Sequence, residues 1–178
     1  MTLNLEVEHI KEASLNDVDK LKVLINSAYR GETSKKGWTT EADLLGGIRI
    51  DKESLKNLLT AKGSLILKYT ESGTILGCVN LVAKENILYL GMLTVSPTEQ
   101  QNGIGKKLLN ASESYAQLNG FQEIEMTVIS KRSELIEYYK RRGFQETGEK
   151  RPFPKDELKF GKPKTDIEFT VLKKAMNK

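Results

Sequence analysis

The sequence is poor in the residue types that build disulfides, zinc sites and nucleophilic triads. It has one cysteine, Cys78, and one histidine, His9, among 178 residues. A single cysteine excludes an internal disulfide and makes a reducing cytoplasm the expected location. These two residues are too few for a Cys/His zinc site, so no metal is expected, and they leave little material for a Ser-His-Asp or Cys-His nucleophile.

Long apolar runs and internal repeats are also missing. No stretch approaches the roughly 20 apolar residues of a membrane-spanning helix, so no membrane association is expected. The first eight residues carry acids where a secretory signal would carry bases. No repeat or Pro/Ser-rich linker divides the chain, which predicts one domain over residues 1–178.

The charge is modest in total but uneven along the chain. The net charge is +4, yet residues 1–130 hold 14 basic and 16 acidic residues, whereas residues 131–178 hold 14 and 8. Such a basic half suits nucleic acid, an anionic membrane, a phosphorylated small molecule or simply a solvated surface. Aromatic residues lie among these bases, but no nucleic-acid-binding motif is recognised, so no nucleic-acid partner is expected.

Hydrophobic spacing predicts a mixed sheet with helices packed on it. Helices are predicted from Ser14 to Tyr29, from Thr39 or Thr40 to Leu45, over 54–59, from Ile104 to Gly120, and from Ser133 to Gly143. A polar loop is predicted over 30–38. Strands are predicted over 7–12, 64–69, 74–83, 87–95, 123–129, 144–147 and 167–172.

The most informative segment joins a strand to a helix through Gly103 and Gly105. Glycines let backbone N–H groups approach an anion, a helix N-terminus adds positive charge, and Lys106 and Lys107 follow directly. The segment is therefore a candidate anion site, although the same glycines also suit a plain tight connection. The patterns G-x-x-x-x-G-K-S/T and G-x-G-x-x-G both fail, the second because Leu108 stands at its third glycine.

Two ordered motifs carry a resemblance to a known family. The pattern Gln/Arg-x-x-Gly-x-Gly/Ala, after a strand, reads Gln100-Gln101-Asn102-Gly103-Ile104-Gly105. Further along, the pattern Tyr-x-x-x-Gly-Phe reads Tyr139-Lys140-Arg141-Arg142-Gly143-Phe144. On these residues the sequence resembles the GNAT superfamily of acetyl-CoA-dependent N-acetyltransferases, closely over residues 86–147 and loosely over the whole chain.

The resemblance implies an α/β fold of the α+β kind. Its mixed, mostly antiparallel sheet would have six or seven strands with about four helices on both faces. Two central parallel strands, 87–95 and 123–129, would splay apart to receive acetyl-CoA. The backbone of Leu93 and Val95 would pair with pantetheine, and the Leu93 N–H would polarise the thioester oxygen. The implied cofactor-binding residues are Leu93, Thr94, Val95, Gln100, Gln101, Asn102, Gly103, Ile104, Gly105, Lys106 and Arg132.

The resemblance also implies catalytic roles. Tyr139 matches the family tyrosine that protonates the leaving thiolate, with a core tyrosine as the alternative, and Tyr138 points to another side of its helix. Tyr89 stands where several members carry a glutamate base, which leaves the base unassigned. Arg132 replaces a cofactor-holding asparagine; it either reaches a CoA phosphate or is a solvated charge.

The acceptor would bind beside the predicted loop and the helix that follows it. The implied acceptor-binding residues are Arg30, Glu32, Trp38 and Glu41, with carboxylates attracting a cationic amine and Trp38 adding a cation–π contact. The acids Glu32, Glu41 and Asp43 favour cationic amines. In the alternative interpretation Glu41 and Asp43 interact with the dipole of a Thr-capped helix and Trp38 is a hydrophobic lid.

The resulting hypothesis is an enzyme that transfers acetyl from acetyl-CoA to a primary amine of a small molecule or peptide in a ternary complex. The alternative is a non-catalytic acyl-CoA-binding or sensing module of the same fold, which the missing strand glutamate supports. A homodimer is compatible with the resemblance.

Overall fold

The structure is a computed structural model that describes residues 7–37, 40–154 and 162–177, without the side chains of residues 31, 32 and 162. Two predicted acceptor contacts, Trp38 and the Glu32 side chain, therefore lie outside the described residues, as does the predicted helix cap at Thr39.

A seven-stranded sheet forms the centre of the molecule. The strands are β1 (Ile10–Glu12), β2 (Leu45–Gly46), β3 (Ser64–Glu71), β4 (Thr74–Lys84), β5 (Ile87–Val95), β6 (Glu123–Ile129), β7 (Gln145–Pro152), β8 (Lys162–Pro163) and β9 (Glu168–Ala175). The order in the sheet is β1-β3-β4-β5-β6-β9-β7, while β2 and β8 form a separate pair. Within this sheet the β5–β6 pair is parallel and the other pairs are antiparallel. The predicted mixed, mostly antiparallel sheet is confirmed.

Helices cover both faces of the sheet, as predicted. They are α1 (Val18–Tyr29), α2 (Gly31–Ser34), α3 (Lys52–Thr60), α4 (Ile104–Leu118) and α5 (Ser133–Lys140). In β3, Leu65 and Leu67 pack in one core cluster with α4 and α5, whereas Ile66 packs in a second cluster with α1 and α3. This division follows from the two-residue alternation of side chains along a strand.

A 3₁₀ turn (Leu15–Asp17) leads directly into α1, and a reciprocal cap holds its start. The Ser14 side chain accepts from the Asn16 N–H at 3.3 Å, and the Ser14 N–H donates to Asp17 at 2.8 Å. The Lys68 ammonium of β3 reaches both Asp17 oxygens at 2.9 Å. This contact anchors the start of α1 to the sheet. The other end of α1 reaches the site described below.

Two predicted elements are corrected by tertiary contacts. The helix expected up to Leu45 is a single turn, because Leu45 and Gly46 pair with residues 162–163 and the Arg30 side chain binds the Gly46 and Ile48 carbonyls. The strand expected to end at Thr147 continues to Pro152. Its largely exposed, polar residues carry no period-2 apolar signal, and pairing with β9 defines them.

Candidate active site

The two central parallel strands separate after a short contact. β5 and β6 pair only at Ile87–Tyr89 with Glu123–Glu125. Beyond this point the second half of β5 faces an opening instead of β6. A parallel pair that parts in this way leaves strand edges available to a ligand chain.

A β-bulge lies where β5 borders this opening. Cys78 of β4 is opposite Thr94 and Asn80 is opposite Gly91, so one residue of β4 faces two residues of β5, Met92 and Leu93. Met92 has a φ of 50°, and the Thr94 hydroxyl donates to the Met92 carbonyl at 2.8 Å. Because a peptide unit is planar, holding this carbonyl also fixes the direction of the Leu93 N–H. Thr94, predicted to contact the cofactor, is buried and instead positions this peptide.

Tyr29, which is not among the site residues that the resemblance implies, reaches the same bulge. Its hydroxyl, at the end of α1, donates to the Leu93 carbonyl oxygen. Burial and the nearby Glu41 carboxylate raise the pKa of Tyr29, so the phenol stays protonated. In the sequence, Tyr29 is simply the last residue of an amphipathic helix. Leu93 lies 64 positions further along the chain, and only the fold brings the two residues into contact.

A pocket of about 230 Å³ opens between the bulge and the first turn of α4. Gly103 precedes this helix with a φ of 75°, a left-handed conformation that favours glycine, and the first helical N–H groups have no acceptor within the helix. Seven of the predicted cofactor-binding residues line this pocket: Leu93, Val95, Gln100, Gln101, Gly103, Gly105 and Lys106. Ile104 is buried in the core, and Asn102 is exposed.

The cations at this pocket are fewer than the sequence suggested. Lys106 and Arg142 line it, and the Arg142 guanidinium lies 3.7 Å from the centre of the Tyr138 ring. Lys107 instead reaches toward Tyr69, with 3.5 Å between Nζ and the phenol oxygen. Lys140 pairs with glutamates on its own side of the molecule. The basic C-terminal part therefore contributes one described side chain, Arg142, to this pocket.

Arg132, predicted to contact a CoA phosphate, does not line the smaller pocket. The structure buries it and places it on a second, larger cleft, where it donates to the Thr40 carbonyl at 2.7 Å and to Glu134 at 2.6 Å. It thereby holds the chain entering the β2 region against the start of α5. Arg132 therefore lines the larger cleft and not the smaller pocket.

Tyr139 lies between the two openings. It is buried, and its ring is edge-on to Tyr138 at 5.3 Å and to Phe144 at 5.9 Å. Burial, followed by the neighbouring Tyr29, raises its pKa well above 10.0, so it stays protonated at neutral pH. Among the described residues, none lies within hydrogen-bond distance of its hydroxyl, which leaves this group available to a ligand. Tyr138 also lines the smaller pocket, despite its different direction on the helix.

The larger cleft has a volume of about 590 Å³. Its walls come from α1, α3, α5, the segment between α2 and α3, and strands β4, β5, β6, β7 and β9. Glu41 is the sole carboxylate among the described residues that line it. One oxygen, Oε2, accepts from Arg30 at 3.1 and 3.2 Å, whereas Oε1 has no hydrogen-bond partner in the described part of the chain.

Other predicted acceptor contacts are placed differently. Arg30 is buried behind Glu41 and does not line the cleft, so the structure makes it the partner of Glu41. Asp43 is exposed and also lies off the cleft wall. Arg49, which has no recognisable sequence pattern, lines the cleft and lies over the Tyr29 ring at 5.9 Å.

Tyr89 stands at the strand position where the resemblance implies a glutamate base in several family members. Its hydroxyl and that of Thr127 are 2.9 Å apart, and the Lys84 ammonium lies 4.3 Å from its ring centre. Cys78 is buried in the core as expected, and burial raises its pKa to about 12, which makes it an unreactive thiol at neutral pH.

The pocket and the cleft meet at four shared residues: Tyr29, Leu93, Leu135 and Tyr139. A ligand chain entering from α4 and a second molecule entering from β7 would therefore come together beside a polarising N–H candidate and a protonated phenol. No helix in the described ranges combines the length and apolar character needed to span a membrane. The same ranges bring together no group of three potential His, Cys, Asp or Glu metal ligands.

Comparisons with known proteins agree with this geometry. Residues 41–160 match the acetyltransferase (GNAT) domain family, so the chain belongs to the GNAT acetyltransferase family. A comparison with curated protein sequences gives no significant match.

Solved structures show the same fold at low sequence identity. The ribosomal-protein-S18-alanine N-acetyltransferase of Escherichia coli superposes with a TM-score of 0.71 at 13% identity, covering 95% of this chain and 94% of that one. The protein smu.2055 of Streptococcus mutans UA159 gives 0.71 at 16% identity, covering 94% and 99%. The PaiA N-acetyltransferase of Thermoplasma acidophilum, solved in complex with coenzyme A, gives 0.67 at 21% identity, covering 93% and 97%.

Proposed function

We propose that the protein transfers the acetyl group of acetyl-CoA to a primary amine by direct attack in a ternary complex. The observation that carries this proposal is the meeting of the smaller pocket and the larger cleft at Leu93 and Tyr139. Two openings that meet at a bulged strand and at the protonated phenol of Tyr139 suit two substrates that react with each other.

The smaller pocket suits the pyrophosphate and the pantetheine arm of a CoA thioester. The first-turn N–H groups of α4 and the cations Lys106 and Arg142 suit a pyrophosphate, and the free edge of β5 suits an extended amide chain. The coenzyme A bound to PaiA supports this assignment. The side chain of Gln100 already donates to the Val95 carbonyl at 3.2 Å, so pairing at Val95 would use its remaining backbone capacity.

Acetyl-CoA supplies an acetyl group on a good leaving group. The Leu93 N–H would stabilise the negative charge that develops on the thioester oxygen when the amine lone pair attacks the carbonyl carbon. Tyr139 would give its proton to the sulfur as the carbon–sulfur bond breaks. Glu41, whose Oε1 accepts no hydrogen bond from the described residues, is our candidate for the group that takes the proton released by the amine, directly or through one water.

The test is calorimetry with acetyl-CoA followed by thiol release against a broad panel of amines. Binding together with amine-dependent CoA release supports the proposal. Binding without release from any amine would instead support the acyl-CoA-binding module, which Tyr89 in place of a strand carboxylate favours. Absence of binding at high micromolar acetyl-CoA would contradict both.

We also propose a single domain over residues 1–178, a cytoplasmic location and a homodimer. A buried, unreactive Cys78 supports a reducing compartment. Light scattering of the purified chain measures the mass in solution directly. The mass of a monomer at micromolar concentration would contradict the proposed homodimer.

A further inference from the structure

The larger cleft carries more positive than negative charge on its walls. Its described lining includes one carboxylate, on Glu41, and four cationic side chains: Arg49, Lys84, Arg132 and Arg151. This excess is the reverse of what acids near the acceptor loop suggested, and it disfavours a purely cationic acceptor such as a polyamine.

Most of these charges already have partners. Glu41 is paired with Arg30 at 3.1 Å, Arg132 with Glu134 at 2.6 Å, and Arg151 with Glu125 at 2.9 Å. Arg49 and Lys84 differ, because no carboxylate of the described residues lies within ion-pair distance of either. The charged ends of both rest on aromatic rings instead, of Tyr29 and Tyr89 respectively.

Arg49 is held in place from α1, whereas Lys84 is an exposed residue at the end of a strand. The side-chain oxygen Oδ1 of Asn26 accepts from the N–H groups of Arg49 and Ile50 at 2.7 and 3.2 Å, and its side-chain nitrogen Nδ2 donates to the Ile50 carbonyl at 3.0 Å. Arg30 donates to the Ile48 carbonyl at 3.2 Å. The backbone around Arg49 is thus fixed on both sides, which lowers the entropy cost of binding through its side chain.

Arg49 and Glu41 both lie beside Tyr29. The Arg49 guanidinium lies 5.9 Å from the Tyr29 ring centre, and the Glu41 N–H donates to the Tyr29 carbonyl at 2.8 Å. Besides burial, which raises the pKa of the Tyr29 phenol most, the Glu41 carboxylate raises this pKa and the Arg49 guanidinium lowers it, so both charges act on this phenol. The phenol oxygen binds the Leu93 carbonyl, so an amine placed near Leu93 would lie in a region that holds one negative and one positive group.

We propose that Arg49 binds a carboxylate carried by the acceptor, so that the acceptor class is a short amino acid with its amine directed to Leu93 and Glu41. This inference rests on the proposed function and names the substrate class of the same site. A planar guanidinium matches a carboxylate with two parallel hydrogen bonds, which a lysine cannot reproduce.

The test compares acids with amides that differ only in this charge. Thiol release is measured for the proteinogenic amino acids and for β-alanine, 4-aminobutyrate and 6-aminohexanoate. Each acid is compared with its primary amide. We expect the best acid to exceed its amide in kcat/KM by about 10- to 100-fold, the usual effect of a hydrogen bond to a charged group. Because the compounds differ in the number of bonds between the amine and the carboxylate, the series also shows which spacing the site prefers.

Three variants assign this preference to one residue. Arg49→Ala should remove the preference for acids over amides, and Arg49→Lys should retain part of it. Lys62→Ala, which removes the same charge at an exposed site off both openings, should leave the preference intact. Acetyl-CoA affinity, measured by calorimetry, checks that each variant is folded.

Binding of each acid and amide to CoA-loaded protein separates this inference from the proposed function. Arg49-dependent binding of the acid without thiol release would leave the carboxylate site standing and remove the acetyl transfer. Equal use and equal binding of acids and amides by the unaltered protein would overturn the carboxylate site. So would loss of the preference in Lys84→Ala but not in Arg49→Ala.

Discussion

The two openings differ in how the chain builds them. The smaller pocket takes most of its lining from one continuous stretch, from Leu93 to Lys106, with a few additions from α1 and α5. The larger cleft gathers single residues from segments as distant as Tyr29 and Phe169. A site built from neighbours in sequence leaves a local motif, whereas a site assembled from many segments leaves none.

The charges differ in the same way. At the smaller pocket, Lys106 and the first turn of α4 follow directly from the glycine motif. At the larger cleft, the positions of Glu41 and Arg49 depend on Asn26 and Tyr29 of α1 and on Arg30, which directly follows this helix. Variants can therefore separate chemistry, acceptor use, cofactor binding and folding.

The largest effect is expected at the point where the two openings meet. Tyr139→Phe removes the proton donor but keeps the ring contacts, so turnover should fall about 100-fold or more, while acetyl-CoA affinity changes little. Since burial keeps this phenol protonated, the loss should persist from pH 7 to pH 9. Steady-state kinetics with calorimetry measures both quantities. Tyr138→Phe is the matched control, and equal turnover of the two variants would remove Tyr139 from the acid role.

A smaller effect is expected on the acceptor side. Glu41→Gln keeps the shape of the side chain but removes the only carboxylate that the described cleft residues offer, so turnover should fall about 10- to 100-fold. The remaining rate should follow the titration of the free amine, because the acceptor must then arrive deprotonated. Glu134→Gln, a carboxylate paired with Arg132 off the cleft, serves as control. A pH–rate profile identical to that of the unaltered protein would contradict the role of Glu41.

Two glycines should separate cofactor binding from folding. A Cβ on Gly77 would lie 2.9 Å from Ile104 and 3.0 Å from Leu108, so Gly77→Ala should lower the free energy of unfolding by about 1–3 kcal/mol. A Cβ on Gly105 would meet Tyr138 at 3.4 Å, an ordinary contact, but would project into the smaller pocket. Gly105→Ala should therefore keep the stability and weaken acetyl-CoA binding about tenfold, an effect of about 1.4 kcal/mol. Thermal melts with calorimetry report both, and unchanged acetyl-CoA affinity would move the cofactor away from α4.

The smallest effect is expected away from both openings. Burial tends to raise the pKa of Asp17, but hydrogen bonds from Lys68 and Ser14 outweigh it, and the net pKa is lowered from 3.8. A lowered folded-state pKa adds stability at neutral pH that is lost as the pH falls through that value. Asp17→Asn should cost about 1 kcal/mol at pH 7 and progressively less below pH 3.8, with acetyl-CoA affinity unchanged. Denaturant unfolding at pH 7 and pH 3 measures this, and a constant difference would contradict the lowered pKa.

Much of the fold was predictable because its signals are local. The apolar period of α4 and the alternation in β3 and β6 need only neighbouring residues to be read, and the predicted bounds agree closely with the structure. The second half of β7, beyond Thr147, and the pairing of β2 with β8 were missed, because pairing between distant segments determines both. Their sequences contain no period that would indicate a strand.

The amino-acid sequence by itself determined the family, the strand–glycine–helix segment around Gly103 and the tyrosine at 139. Those features depend on residue type at fixed spacing along the chain. Only the tertiary structure decided that Arg132 lines the larger cleft, that Tyr29 reaches Leu93, and that Arg49 has no carboxylate partner among the described residues. The physical reason is that hydrogen bonds and charge pairs act through space over a few ångströms, whatever the separation along the chain.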